Sequence, residues 1–121
     1  MDIETLRDYC ISKVGVTESF PFDADTLVLK VMGKMFALMP LEHGNQIVLK
    51  CNPDKAIELR EEWEEITGAY HMNKTHWNTV MLDGRLSRAL ICEMVDDSYN
   101  LVRAGLKKTE REILDGLSGG N

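Results

Sequence analysis

The stretch TLVLKVMGKMFALMP, from Thr26 to Pro40, decides the fold. Apolar residues dominate both halves, and a single glycine separates them, which is typical of a tight β-hairpin. After the turn EHGN, the segment QIVLKC (Gln46–Cys51) predicts a third strand. Because short turns make neighbouring strands antiparallel, such a sheet can leave one face exposed to water. We therefore expect Lys30, Lys34 and Lys50 on that exposed face or at its edges.

The residues before the hairpin predict one helix and one loop. Apolar residues recur at helical spacing from Ile3 to Val14 (3–14), Asp2 is placed to cap this helix, and Gly15 is placed to end it. The following segment VTESFPFDAD has no such periodicity and is predicted to be a loop. Its Phe20 and Phe22 are expected to cover an edge of the core.

A second helix is predicted after the third strand. Asn52 suits the N-cap, and Pro53 suits the first helical position. Glutamates cover one side of this helix, which is expected to end at Gly68. Its buried stripe is predicted to consist of Ala56, Leu59, Trp63 and Ile66.

The C-terminal third predicts one more strand and one long helix. The segment HWNTVML (76–82) alternates as a strand does, and residues 87–106 form a helical pattern with Thr109 and Glu112 as a capping box for a short last turn. Residues 118–121 are expected to be a flexible tail after a single domain, 1–117. The inward positions of the long helix are predicted to include Leu90, Met94, Leu101 and Val102.

The predicted order α-β-β-β-α-β-α indicates an α+β two-layer sandwich, with an antiparallel sheet and helices packed on one face. A doubly wound sheet would require alternating strands and helices throughout, and this chain lacks that alternation.

Charge and composition narrow the function classes. The 121 residues include 14 basic and 20 acidic side chains, for a net charge of −6, which opposes binding to phosphates. Basic residues are nevertheless in excess in the ranges 70–90 and 103–111. The three cysteines are too few and too widely spaced for a disulfide framework, and they predict buried free thiols in a reducing cytoplasm. No apolar run is long enough for a membrane span, and no export signal is visible.

The motifs of several catalytic and cofactor-binding classes are missing. The sequence contains neither GxxxxGK[ST] nor GxGxxG, which leaves nucleotide binding without support. His71 and His76 are five residues apart and have no CxxC to complete a zinc site. We therefore expect no metal, no cofactor and no enzymatic activity.

The segment YHMNKTHWNTVMLDG (70–84) is the candidate binding site. Trp77 is predicted to be a core residue, since it is the first inward position of a strand. As a set, however, these side chains could contact nucleic acid, with Lys74 on a phosphate and the asparagines on base edges. A carboxylate-bearing small molecule or a partner peptide would fit the same residue types. The predicted nucleic-acid-binding residues are His71, Asn73, Lys74, His76, Trp77, Asn78, Arg85 and Arg88.

Three segments, GVTESFPFDADTLVLKVMGKMFAL, LKCNPDKAIELRE and AYHMNKTHWNTVMLDG, occur in an order and spacing that resembles the MmcQ/YjbR family of small bacterial proteins. The resemblance covers nearly the whole chain. It implies an α+β fold like that of secretion chaperones, and a "double-wing" DNA-binding role has been proposed for the family. The first function hypothesis is a DNA-binding module that also uses Lys107 and Lys108. The alternative is a protein- or small-ligand-interaction module without a nucleic-acid role, as a monomer or weak homodimer.

Overall fold

A computed structural model describes residues 1–42, 44–69 and 72–119. Within these ranges the chain forms an antiparallel sheet with the strand order β1-β2-β3-β4-β6-β5, and helices pack on one face of it. The predicted α+β two-layer architecture is thus confirmed. The elements in chain order are α1 (Ile3–Ile11), β1 (Val16–Ser19), β2 (Thr26–Val31), β3 (Lys34–Pro40), β4 (Gln46–Lys50), α2 (Pro53–Glu62), β5 (Ile66–Gly68), β6 (Trp77–Met81), α3 (Arg88–Ala104) and α4 (Lys108–Gly119).

The β2–β3 hairpin turns at Met32 and Gly33, as the sequence predicts. Both residues have positive φ angles, 49° and 81°. Two successive left-handed residues are the signature of a type I′ turn, whose twist matches that of the strands it joins. The turn therefore fixes the register in which Val31 pairs with Lys34.

A bulge interrupts this hairpin at Phe36. Leu29 pairs with Ala37 and Lys30 pairs with Met35, which leaves Phe36 between them without a partner on β2. The Phe36 carbonyl is satisfied instead by Ser98 of α3, whose hydroxyl donates a 2.5 Å hydrogen bond to it. The same Ser98 oxygen accepts a 2.9 Å hydrogen bond from the backbone N–H at position 50. One buried hydroxyl therefore joins α3 to two neighbouring strands.

The main core lies between the sheet and the helices. It includes Phe36, which meets the Tyr99 ring edge-on with the ring centroids 5.6 Å apart. Two of the three cysteines, Cys10 and Cys51, are buried free thiols as predicted, whereas Cys92 is half-buried. Every helix contributes buried side chains to this core, including Leu6, Leu59, Val95 and Leu114.

A second apolar cluster lies on the opposite face of the sheet. Its buried members come from β2, β3, β4, the first residue of β6 and the residue directly after β5, and Met35 and Met72 pack against it. Part of the face without helices is therefore covered by Ala69 and Met72. The buried members are Val28, Leu38, Val48, Ala69 and Trp77.

The predicted loop before the hairpin is wrong in its first half. Residues 16–19 form β1, an edge strand that pairs with β2. Phe20 and Phe22 do not cover the core either, because 47% and 63% of their surfaces are exposed. Three of the four β1 residues are exposed, which explains why no alternating apolar pattern marks the strand.

The second helix is shorter than predicted. Trp63 already has extended dihedral angles, φ −127° and ψ 121°, and Ile66 begins the short strand β5. Gly68 accordingly ends a strand instead of a helix. Trp63 and Ile66 are three residues apart, a spacing that fits one face of a helix. The spacing alone therefore does not show that Ile66 pairs instead with Val80 of β6.

The C-terminal helix is longer than the predicted last turn. It begins at Lys108. The backbone N–H of Lys107, just before the helix, donates a 3.1 Å hydrogen bond to the Glu110 side chain. The proposed Thr109–Glu112 capping box is therefore wrong. The helix continues to Gly119, so residues 118 and 119 of the predicted tail are helical, and residues 120 and 121 lie outside the described ranges. Leu101, predicted to face inward, is 36% exposed.

Candidate nucleic-acid interface

The structure divides the predicted binding residues between the two ends of β6. Residues 72–76 immediately precede Trp77, whereas Arg85 and Arg88 follow the end of the strand at Met81. A strand of this length spans about 15 Å. Residues that are neighbours in the sequence therefore do not form one surface. His71 lies outside the described residues.

The loop formed by residues 72–76 presents an exposed polar surface. Asn73, Lys74, Thr75 and His76 are all exposed. Hydrogen bonds within the loop stabilise its turn. The Asn73 side chain accepts a 2.9 Å hydrogen bond from the Thr75 N–H, and the Asn73 backbone carbonyl accepts hydrogen bonds from the N–H groups of His76 and Trp77. It is thus a hydrogen-bonded turn that displays an ammonium group and an imidazole.

Trp77 and Asn78 lie inside the protein. The indole is 9% exposed and belongs to the second apolar cluster, which confirms its prediction as a core residue. Asn78 is 2% exposed; its Oδ1 accepts a 3.1 Å hydrogen bond from Arg60, and its Nδ2 donates to the Ala56 carbonyl at 3.4 Å. Neither residue is presented to a ligand in this structure, so the suggested contact of Asn78 with a base edge does not fit its position.

Arg60 has a structural role that its sequence context does not indicate. Besides Asn78, its guanidinium donates a 2.8 Å hydrogen bond to the carbonyl of Lys74. Arg60 therefore ties the 72–76 loop to α2. No sequence signal distinguishes it, because it lies among glutamates on what reads as the solvated side of a helix.

Arg85 and Arg88 lie among acidic groups. The Arg85 side chain is 70% exposed, and its nitrogens lie 3.7 Å from a Glu65 oxygen and 3.8 Å from an Asp83 oxygen. Arg88 is close enough to Asp2 to help lower its pKa, after the larger effect of the hydrogen bonds from Thr5. Neighbouring carboxylates thus offset the positive charge at this end of β6.

The other end of the sheet carries the more coherent cationic surface. Lys30 pairs with Thr17 on one side and with Met35 on the other, and Lys50 pairs with Trp77. Directly paired residues share a face of the sheet, and Met35 and Trp77 belong to the cluster opposite the helices. Both lysines therefore project from the face without helices, as expected from the sequence. Lys34, which is expected there as well, pairs at the hairpin turn with a residue of the main core and lies on the helix face.

Both lysines also lie at the same end of the sheet as the loop. Lys30 is near the end of β2, Lys50 ends β4, and the loop leads into β6. We call Lys30, Lys50 and residues 73–76 the lysine patch. Neither Lys30 nor Lys50 joins any of the ion pairs found among the described residues.

The face that carries the patch has no carboxylate on its strands. In the paired registers, the side chains on this face are those of Thr17, Ser19, Thr26, Val28, Lys30, Met35, Leu38, Pro40, Gln46, Val48, Lys50, Thr67, Trp77, Thr79 and Met81. The strands of this face therefore place no negative charge beside Lys30 and Lys50.

Another charged cluster has a structural role. Asp96 of α3 accepts a 2.7 Å hydrogen bond from the Tyr9 hydroxyl and lies 2.5 Å from the Lys13 ammonium. Burial alone would raise the pKa of Asp96, but these two hydrogen bonds lower it below its ordinary value. Lys13 also lies over the Tyr9 and Tyr99 rings. The cluster joins α1 to α3.

Two other kinds of site are absent from the part of the chain that the structure describes. Among the residues with described positions, no three histidine, cysteine or acidic side chains are grouped as a metal site would require. In the same ranges, no helix has the length and apolar character needed to cross a membrane.

Comparisons with known proteins show extensive similarity. A family model described as YjbR matches residues 11–101. The uncharacterized protein YjbR of Escherichia coli K12 is 34% identical over 115 residues, which cover 94% of this chain and 98% of that protein. The uncharacterized protein YbdF of Escherichia coli O157:H7 is 33% identical over 110 residues, 90% of each chain.

Solved structures agree with the sequence comparisons. The crystal structure of Deinococcus radiodurans protein DR2400, described as a DUF419 domain, matches with a TM-score of 0.88 and 37% identity over 94% of this chain and 88% of that chain. A crystal structure of a Pseudomonas syringae protein matches with a TM-score of 0.71 and 31% identity, covering 84% of this chain and 98% of that chain.

Proposed function

The chain belongs to the YjbR family, and we propose that it is a non-catalytic protein that binds nucleic acid through the lysine patch. The observation that carries this proposal is the strand register, which places Lys30 and Lys50 beside the exposed 73–76 loop, on a face whose strands carry no carboxylate. A strongly acidic protein can hold a polyanion only where its positive charges are gathered away from its carboxylates.

The chemistry of the patch fits contacts to the phosphate backbone better than base readout. Lysine ammonium groups on flexible stems neutralise phosphates and release counterions, whatever the base sequence. The residues best suited to reading or stacking on bases, Asn78 and Trp77, are buried. We therefore propose binding with little sequence preference.

The number of cations sets the expected strength and salt dependence. The patch offers Lys30, Lys50 and Lys74, with His76 beside them. Three phosphate contacts correspond to a slope of log K against log salt of about −2 to −3. We expect weak binding that falls steeply as salt increases. A nucleic-acid partner and three free cysteines also fit a cytoplasmic location.

The proposal is tested by fluorescence anisotropy with random-sequence single- and double-stranded DNA over a series of salt concentrations. The double variant Lys30→Gln/Lys50→Gln is expected to bind more weakly and to reduce the magnitude of the salt slope by about 2, because two phosphate contacts are lost. Lys74→Ala is expected to reduce it by about 1. Thermal unfolding of each variant checks that the fold is retained.

The matched control is Lys107→Gln/Lys108→Gln, which removes the same charge from exposed positions at the start of α4. This variant is expected to keep the salt slope of the unmodified protein. Equal losses in the two double variants would show that net charge alone matters and would overturn the proposed interface. No DNA binding at low salt would favour an interaction module without a nucleic-acid role.

A further inference from the structure

A groove lies between the start of α2 and the second half of α3, next to the end of β4 that carries Lys50 of the lysine patch. Its volume is about 490 Å³, which is within the range of small-molecule sites. The β4–α2 junction supplies one wall and α3 supplies the other. The lining residues are Cys51, Asn52, Lys55, Asp97, Asn100, Leu101 and Ala104.

Two opposite charges face this groove without pairing. Lys55 is exposed and Asp97 is half-buried, and the ion pairs among the described residues do not include either of them. Burial raises the pKa of Asp97, Glu93 raises it further, and the Lys55 charge partly opposes both effects. Lys55 thus acts on Asp97 from beyond ion-pair distance, and a cation placed against Asp97 would form a closer pair than any that Asp97 makes among the described residues.

The remaining wall of the groove is apolar. Leu101 is 36% exposed although it belongs to a helix whose other large apolar residues are mostly buried, and it lines the groove together with Ala104. The Cys51 thiol is 8% exposed, and burial raises its pKa, which keeps it neutral. An aliphatic group of moderate size would cover this wall and remove Leu101 from water.

We propose that this groove binds a small zwitterion with an aliphatic side chain, of the size and kind of an α-amino acid. Lys55 holds the carboxylate, Asp97 holds the ammonium group, and Leu101 with Ala104 contacts the side chain. Asn100 also lines the groove and offers both a donor and an acceptor. The lining residues of the groove are not part of the lysine patch, and the proposal does not depend on nucleic-acid binding.

Isothermal titration calorimetry with L-leucine as the probe tests the proposal. The unmodified protein is expected to bind L-leucine, and Lys55→Gln and Asp97→Asn are each expected to weaken the binding roughly tenfold, since each removes one charge-assisted hydrogen bond. Lys108→Gln, which changes a lysine outside the groove, is expected to leave the affinity unchanged. Thermal unfolding of the three variants verifies that their folds are intact.

Two analogues assign each charge to its partner. N-acetyl-L-leucine has no ammonium group, so Asp97→Asn is expected to bind it at least as well as the unmodified protein does. L-leucinamide has no carboxylate, so Lys55→Gln is expected to bind it at least as well. The proposal is supported if each variant loses affinity only for the probes that carry the charged group its replaced residue is proposed to hold. No heat of binding with L-leucine, or the same loss for both variants with all three probes, would overturn it.

Discussion

At the scale of single residues, Gly15 and Gly33 hold the same left-handed backbone in different surroundings. Their φ angles are 74° and 81°. A Cβ atom at position 15 would overlap the Cδ1 atom of Leu114, whereas one at position 33 would have no heavy atom within 4 Å. Gly15 is therefore required by both conformation and space, and Gly33 by conformation alone.

We predict that Gly15→Ala destabilises the protein more than Gly33→Ala. The strain of a left-handed alanine costs about 1 kcal/mol in both variants. Displacing the buried Leu114 side chain adds about 1–3 kcal/mol in Gly15→Ala alone. Urea denaturation of the two variants measures the difference, and equal free energies of unfolding would contradict the contact between α4 and the turn after α1.

Residue roles that depend on local sequence could be predicted. Asp2 and Asn52 cap α1 and α2 as expected, because a cap needs only its own side chain and the next few N–H groups. The structural roles of Ser98 and Arg60 could not be predicted. Ser98 is 62 residues from the carbonyl that it binds, and Arg60 is 14–18 residues from its partners, so only the fold brings these groups together.

At the scale of elements, Arg60 joins α2 to the 72–76 loop and to β6. Replacing it with methionine keeps most of the side-chain length but removes the donors to the Lys74 carbonyl and the buried Asn78 Oδ1. We predict that Arg60→Met costs about 2 kcal/mol of stability, because a buried acceptor loses its partner. Amide exchange in residues 73–77 should become faster.

Arg88→Met is the control for this prediction, because Arg88 is exposed at the start of α3. Its free energy of unfolding should change by less than about 0.5 kcal/mol. If Arg60→Met proved as stable as this control, with unchanged amide exchange, Arg60 would not hold the loop.

The elements that could be predicted from the sequence are those whose own residues show a clear apolar periodicity or a clear turn or cap signal. The β2–β3 hairpin, β4, the start of α2, β6 and α3 all fall near their predicted positions. The sequence pattern does not predict β1 and β5, because both strands are short. Each lies at an edge of the sheet and pairs with a single neighbouring strand. Their sequences contain too few buried residues to show a period of two.

At the scale of the whole molecule, the distribution of charge decides the proposed function. The sequence groups Lys74, Arg85 and Arg88 within 15 positions, yet β6 separates the first from the other two. Antiparallel pairing instead places Lys30 and Lys50 on one face, 20 positions apart in the chain. The sequence predicts an exposed lysine face, but only the register shows which cations lie together on strands that carry no carboxylate.

The proposed interface is tested most directly by an NMR titration of the ¹⁵N-labelled protein with a short DNA duplex at low salt. We expect the perturbed amides to cluster at residues 28–30, 48–50 and 73–77, at one end of the face without helices, and those of α1 and α4 to stay unchanged. Perturbations centred on Arg85 and Arg88 or on α4, or none at all, would contradict it.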